Sequence, residues 1–130
     1  MAESAKKILV VDDDKMNIVA LAHYLKPPYE ILVAMDGSSA IKAASKHLPD
    51  MILLDIVMPD MNGFDVCAEL KAYETTMNIP VIFLTGLDAD DIIEKGLALG
   101  AVDYITKPFD KSVVKSKIDA HLNPGEALLA

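Results

Sequence analysis

A chain of 130 residues that is 52% hydrophobic and 25% charged is long enough for one globular domain with a core of its own, and too apolar to be disordered. Twenty acidic residues against twelve basic ones give a net charge of −8, a surface that repels phosphate backbones and argues against direct nucleic-acid binding. The single cysteine, Cys67, excludes an internal disulfide and a cysteine-cluster metal site, and it fits a reduced cytoplasm.

The opening MAESAKK leads into ILVV (8–11), an apolar run too short for the core of a secretion signal. This run reads as a strand, and it ends in Asp12-Asp13-Asp14. Ile18, Leu21, Ala22 and Leu25 then recur at helical spacing, with Asp14 as the expected cap. ILVAM (31–35) is the second strand, and Met35-Asp36-Gly37 reads as a turn before a helical stripe of Ala40, Ile41, Ala44 and Leu48. MILL (51–54) is the third strand and ends in Asp55. Asp60 falls on a turn and Asp65 on a helix start; the third helix, capped by Asn62, carries Phe64, Cys67, Ala68 and Leu70-Lys71. VIFL (81–84) runs into Thr85-Gly86, and Ile92, Ile93, Leu97 and Leu99 mark a fourth helix that stops at Gly100. A weaker fifth strand, VDYI (102–105), precedes Thr106-Lys107-Pro108-Phe109, and Val113, Val114, Lys117, Ile118 and Leu122 form the last helix.

Five repeats of strand and helix, with right-handed crossovers, make the sheet parallel. The continuous apolar runs suit strands covered on both faces, and all are shorter than the 18 or so residues a membrane span needs. Ligands of such sheets bind beyond the carboxyl ends of the strands. There the chain places Asp12 to Asp14, Asp55, Thr85 with Gly86, and Lys107. Two unit charges about 4 Å apart repel by roughly 4 kcal/mol at an effective dielectric of about 20, so acids gathered there call for solvent or a cation.

Taken singly, each residue has an ordinary explanation. Asp14 caps a helix, Thr85 closes a strand, Lys107 is solvated, Cys67 is core, and His23, His47 and His121 lack ligand spacing. The coincidence at four strand ends is what such explanations handle badly. Carboxylates with waters suit Mg²⁺. A carboxylate can attack phosphorus, Lys107 can neutralise a phosphoryl oxygen, Thr85 can donate to another, and Gly86 leaves room.

The motifs VVDDD (10–14), DMILLDIVMPDMNG (50–63), PVIFLTG (80–86) and DYITKPF (103–109) resemble, in order and spacing, the response-regulator receiver domain. The resemblance covers about residues 6–122, the expected domain, and leaves 123–130 as a C-terminal tail or truncated linker. It implies an α/β fold with a doubly wound five-stranded parallel sheet, flavodoxin-like in its order 2-1-3-4-5, and five helices. By resemblance Asp55 is the phosphoacceptor, served by a histidine kinase or histidine phosphotransfer protein. Asp13 is a direct Mg²⁺ ligand, Asp12 acts mainly through water, and the Val57 backbone carbonyl is a further ligand. Thr85 and Lys107 contact the phosphoryl group, the Lys107-Pro108 peptide is cis, and Tyr104 holds the aromatic switch position coupled to Thr85. Asn62 stands where many members carry Asp, at a helix start away from the phosphoryl group.

The reading is therefore a signalling switch and not a turnover enzyme, acting on an unknown downstream protein or domain, with a phosphorylation-dependent homodimer allowed. Nothing past Leu122 reads as an output domain, so the chain is a stand-alone regulator or an excised receiver. By the same resemblance, the positions of Val57 and Leu87 are those that flank the approach of water in receiver domains, and their apolar side chains imply slow self-dephosphorylation. The alternative is a phosphatase of haloacid-dehalogenase type, with Asp12-x-Asp14, Thr85 and Lys107 in its motif order. Met16 occupies the place of its Thr or Val, and no acidic pair follows Lys107. A nucleotide-binding Rossmann module lacks its glycines after the first strand, and a pseudo-receiver scaffold would not keep all five key residues.

Overall fold

The computed structural model describes residues 5–86 and 90–122, so the tail 123–130 and Leu87 lie outside the described residues. Five strands alternate with five helices: β1 (Lys7–Val11), α1 (Lys15–Leu25), β2 (Glu30–Ala34), α2 (Gly37–His47), β3 (Met51–Asp55), α3 (Gly63–Ala72), β4 (Val81–Thr85), α4 (Asp90–Ala98), β5 (Asp103–Thr106) and α5 (Lys111–Leu122). All pairings are parallel, in the order β2-β1-β3-β4-β5.

Alternate strand residues point to opposite faces, and each face has its own cluster. Leu9, Ile52, Leu54 and Phe83 pack with Ala40 and Ala44 of α2 and with Phe64, Val66 and Leu70 of α3. Ile8, Val10, Leu53 and Ile82 pack with Leu21 and Leu25 of α1 and with Val114 and Ile118 of α5. The sheet is thus covered on both sides, which explains the unbroken apolar runs of its central strands. At the edges the expectation weakens: Val33 of β2 is exposed, and Met35 lies beyond that strand and is exposed too.

Helix faces correct several sequence expectations. Leu48 does not continue the α2 stripe; it caps the helix in the left-handed region at φ 46° and is 54% exposed. Ala68 is exposed, and Val66 takes the buried place on α3. Leu97 and Val113 also face outward. On α4 the buried position is Gly96, where a Cβ would stand 2.8 Å from Cδ2 of Phe83, so the ring occupies the space a side chain would need. Met35-Asp36-Gly37 is no free turn, because Asp36 caps α2 and Gly37 is its first residue. Asp14 and Asn62 cap α1 and α3 as expected, accepting from the N–H groups of Met16 and Asp65. Gly100 ends α4 at φ 105°.

Candidate functional site

The carboxyl ends of β1, β3 and β5 meet in an open cleft lined by Asp12, Asp13, Asp14, Asn17, Asp55, Val57, Gly86 and Lys107. Just past β1, three consecutive aspartates take three directions. Asp12 is 0% exposed: its Oδ1 accepts from the Asp14 N–H at 2.9 Å and its Oδ2 from Nδ2 of Asn17 at 3.1 Å. Asp13 stays exposed at the cleft. Asp14 turns back to the helix and accepts from the Met16 N–H at 2.9 Å.

Asp55 ends β3 beside β1, only 5% exposed. Its backbone is clamped by α3. The Gly63 N–H donates to the Ile56 carbonyl at 2.6 Å, and a Cβ on Gly63 would come within 2.3 Å of the Asp55 carbonyl oxygen. Lys107 enters from the loop after β5, with its N–H donating to the Thr85 carbonyl at 2.8 Å. Its Nζ lies 3.0 Å from Oδ1 of Asp55 and 3.5 Å from Oδ2 of Asp12. The Lys107-Pro108 peptide bond is cis, as is Pro27-Pro28, which the sequence reading missed.

Oxygens of Asp12, Asp13 and Asp55 lie within 4.8 Å of one another. Among the described residues, these three clustered carboxylates face the single ammonium of Lys107, which leaves the cluster strongly negative. Burial is the main force raising the pKa of Asp55 above 3.8, and Asp12 and Asp13 push the same way; the hydrogen bond and charge of Lys107 oppose them without prevailing. Burial also works against the Lys107 ammonium, but Asp55 and Asp12 together outweigh it and raise its pKa. Lys107 answers two carboxylates at once, whereas Asp55 shares its one cation with a like-charged neighbour, so both shifts run upward. An all-oxygen, carboxylate-rich donor set with excess negative charge fits a hard divalent cation such as Mg²⁺.

Thr85 and Tyr104 are brought together, but behind the cleft and not in it. With Ile56, Phe83, Ile92 and Gly96 they line a cavity of about 10 Å³ between α4 and the sheet. Thr85 is buried at the end of β4, and Tyr104 is half-buried. Val57 is 72% exposed at the cleft. A Cβ on Gly86 would meet nothing within 4 Å, so the room there does not depend on glycine.

Three supporting residues escaped the sequence reading. Asn17 orients Asp12, and Gly63 admits α3 against Asp55; both act across elements, where spacing gives no warning. Asp60 is more than a turn residue: it accepts from the N–H groups of Gly37 and Ser38, pinning the start of α2 to the loop after β3. The Gly37 and Ser38 donors hold its pKa down at about 2. His121 is isolated in sequence, yet its Nε2 lies 3.1 Å from Oδ2 of Asp103. Cys67 is buried core. Among the described residues no helix is long and apolar enough to cross a membrane.

The family model of the response regulator receiver domain matches residues 8–119. The response regulator PleD of Caulobacter vibrioides is 44% identical over 113 residues, which cover 86% of this chain and 25% of PleD. The alkaline phosphatase synthesis transcriptional regulatory protein PhoP of Bacillus subtilis is 38% identical over 122 residues, covering 93% of this chain and 50% of PhoP. The high-resolution structure of the chemotaxis response regulator CheY4 of Vibrio cholerae superposes with a TM-score of 0.86 at 28% identity, covering 91% of this chain and 99% of that one. The chain spans a quarter to a half of the length of the two curated relatives. The phosphatase alternative finds no support here, and its second aspartate, Asp14, is engaged as a helix cap. A match that runs from β1 into α5, at this identity and with this strand order, places the chain in a family: it belongs to the response regulator receiver domains, the signalling modules of two-component systems.

Proposed function

We propose that Asp55 accepts a phosphoryl group from a histidine kinase or histidine phosphotransfer protein, in a Mg²⁺-dependent step that switches the surface around Tyr104. One observation carries the reading: a nearly buried Asp55 carboxylate lies 3.0 Å from the Lys107 ammonium, among oxygens of Asp12 and Asp13 within 4.8 Å. A carboxylate oxygen of Asp55 attacks phosphorus, the new O–P bond forms in line, and the bond from phosphorus to the donor nitrogen breaks. Lys107, already beside Asp55, is placed to follow the charge onto a phosphoryl oxygen. Asp12, Asp13 and Asp55, with the Val57 carbonyl, would hold Mg²⁺, which when bound offsets the carboxylate charge and neutralises phosphoryl oxygens. Asp12 has both oxygens engaged by Asp14, Asn17 and Lys107, which favours a role through water, whereas exposed Asp13 suits direct ligation.

The cavity beside Thr85 constrains the switch. About 10 Å³ is room for one water at most, so a Tyr104 ring enters only if Thr85 or α4 yields. The phosphoryl group biases two states only through its differential contact with them, here the Thr85 hydroxyl. The domain is residues 6–122, with 123–130 as tail or linker. The setting is the cytoplasm, and the output is an unknown effector or a phosphorylated homodimer. Apolar Val57 cannot orient an attacking water, which supports slow self-dephosphorylation; the companion Leu87 lies outside the described residues.

The test is intact mass after incubation with acetyl phosphate. One phosphoryl increment is expected with Mg²⁺, none with chelator, and none in Asp55→Asn. An adduct that persists in Asp55→Asn would sink the assignment.

A further inference from the structure

We infer that Lys117 is a positioning residue that latches the Tyr104 ring in its resting place. The functional meaning of the latch rests on the switch reading above; its geometry does not.

β5 is an edge strand, and its residues divide between the two faces of the sheet. Ile105 packs towards α5 with Val114 and Ile118, while Tyr104 packs on the other side with Phe83 and Ile92. Lys117 belongs to α5, yet its side chain reaches the Tyr104 side. Its Nζ donates to the Tyr104 carbonyl at 2.7 Å, pairs with Oδ1 of Asp103 at 3.1 Å, and stands 4.4 Å from the centroid of the Tyr104 ring. Asp103 is itself steadied by the Tyr104 N–H at 2.8 Å and by Nε2 of His121 at 3.1 Å. The ammonium is therefore aimed by two oxygens, and the ring lies under the charge.

The ion pair is partly exposed and contributes little stability as such. The consequence lies in the ring. A cation over an aromatic face is attracted by the ring quadrupole, and that attraction ends when the ring swings away. Since the cavity beside Thr85 is too small for the ring, Tyr104 leaves its place only by giving up the ammonium while α4 or Thr85 gives way. Lys117 stabilises the resting state alone, so its removal shifts the equilibrium towards the switched one. A contact of this kind at a partly exposed site amounts to roughly a two- to fivefold change in that equilibrium.

The experiment compares the wild type with Lys117→Met, which keeps the length of the stem, and Lys117→Arg, which keeps a cation. Tyr104 side-chain rotamer populations are read from three-bond NMR couplings in the unphosphorylated protein, at one fixed pH for all variants. Each protein is then titrated with beryllofluoride and Mg²⁺. Lys117→Met should alter the Tyr104 couplings and tighten apparent beryllofluoride affinity roughly two- to fivefold, with Lys117→Arg close to wild type. In a Tyr104→Leu background, Lys117→Met should leave the affinity unchanged. Unaltered Tyr104 couplings in Lys117→Met overturn the latch, and so does an affinity gain that persists without the ring. If Lys117→Met alters the couplings but beryllofluoride leaves wild-type Tyr104 signals unmoved, the latch stands and the switch reading falls.

Discussion

Asp55 carries its charge where burial, Asp12 and Asp13 all oppose it, and one lysine answers two carboxylates. Its pKa lies above the ordinary 3.8, so the folded state holds that proton more tightly than the unfolded chain does. Such a group weakens the fold once pH rises through its folded pKa, and the penalty fades as pH falls back. Asp55→Asn should therefore raise the urea midpoint at neutral pH and show a smaller gain near pH 4, while losing the phosphoryl adduct. A midpoint at neutral pH at or below wild type would mean that the Lys107 pairing outweighs the repulsion. Stability given up at a reacting group is a common cost of function. Gly63 shows the reverse dependence, because backbone it would strike cannot move aside. Gly63→Ala should lose about 2–3 kcal/mol in urea unfolding and reduce acetyl phosphate labelling, since the displaced backbone is that of Asp55.

At the scale of elements, Leu48 and Gly96 are each the reverse of what helix propensity recommends. Leu48 sits in the left-handed region with an exposed side chain, so Leu48→Gly should stabilise by about 0.5–1 kcal/mol in urea unfolding. Gly96→Ala gains about 1 kcal/mol of propensity, but its methyl meets the buried Phe83 ring packed against Phe64. Overpacking costs about 1–3 kcal/mol, so net destabilisation is expected; a midpoint above wild type would show that the ring shifts freely. These two residues also mark where sequence reading ends. Strands, the caps Asp14 and Asn62 and the residues after each strand were legible because they depend on local pattern, and Asp12, Asp13, Asp55 and Lys107 converge because parallel strands end together. Apolar residues at helical spacing do not say which of them face out, hence Leu48, Ala68, Leu97 and Val113. Asn17, Asp60 and Gly63 serve elements other than their own, and Lys117 crosses a sheet edge; no local signal announces such contacts.

Over the whole molecule, carboxylates of opposite character set the response to acid. Asp60 is held down at about 2 by N–H donors of α2, Asp110 is lowered by the hydroxyl and N–H of Ser112, and Asp103 stays low because Tyr104, His121 and Lys117 overcome its burial. Lowered groups contribute stability that is present above the ordinary 3.8 and is lost as pH falls towards 2. Unfolding followed by circular dichroism should therefore show stability declining between about pH 4 and 2, with Asp55 acting in the opposite sense; flat stability across that range would contradict the assigned bonding. Of the acidic residues behind the net charge of −8, Asp12, Asp13 and Asp55 gather at the strand ends, an oxygen-rich and negative place that fits a hard cation. The phosphoryl group is expected on Asp55. Borohydride reduces an aspartyl-phosphate to homoserine, so protein treated with acetyl phosphate and Mg²⁺, reduced and digested, reports the modified position by peptide mass sequencing. Homoserine at position 55 alone is the result predicted here; homoserine at position 12 or 13, or none in protein that carries the phosphoryl mass, would contradict it.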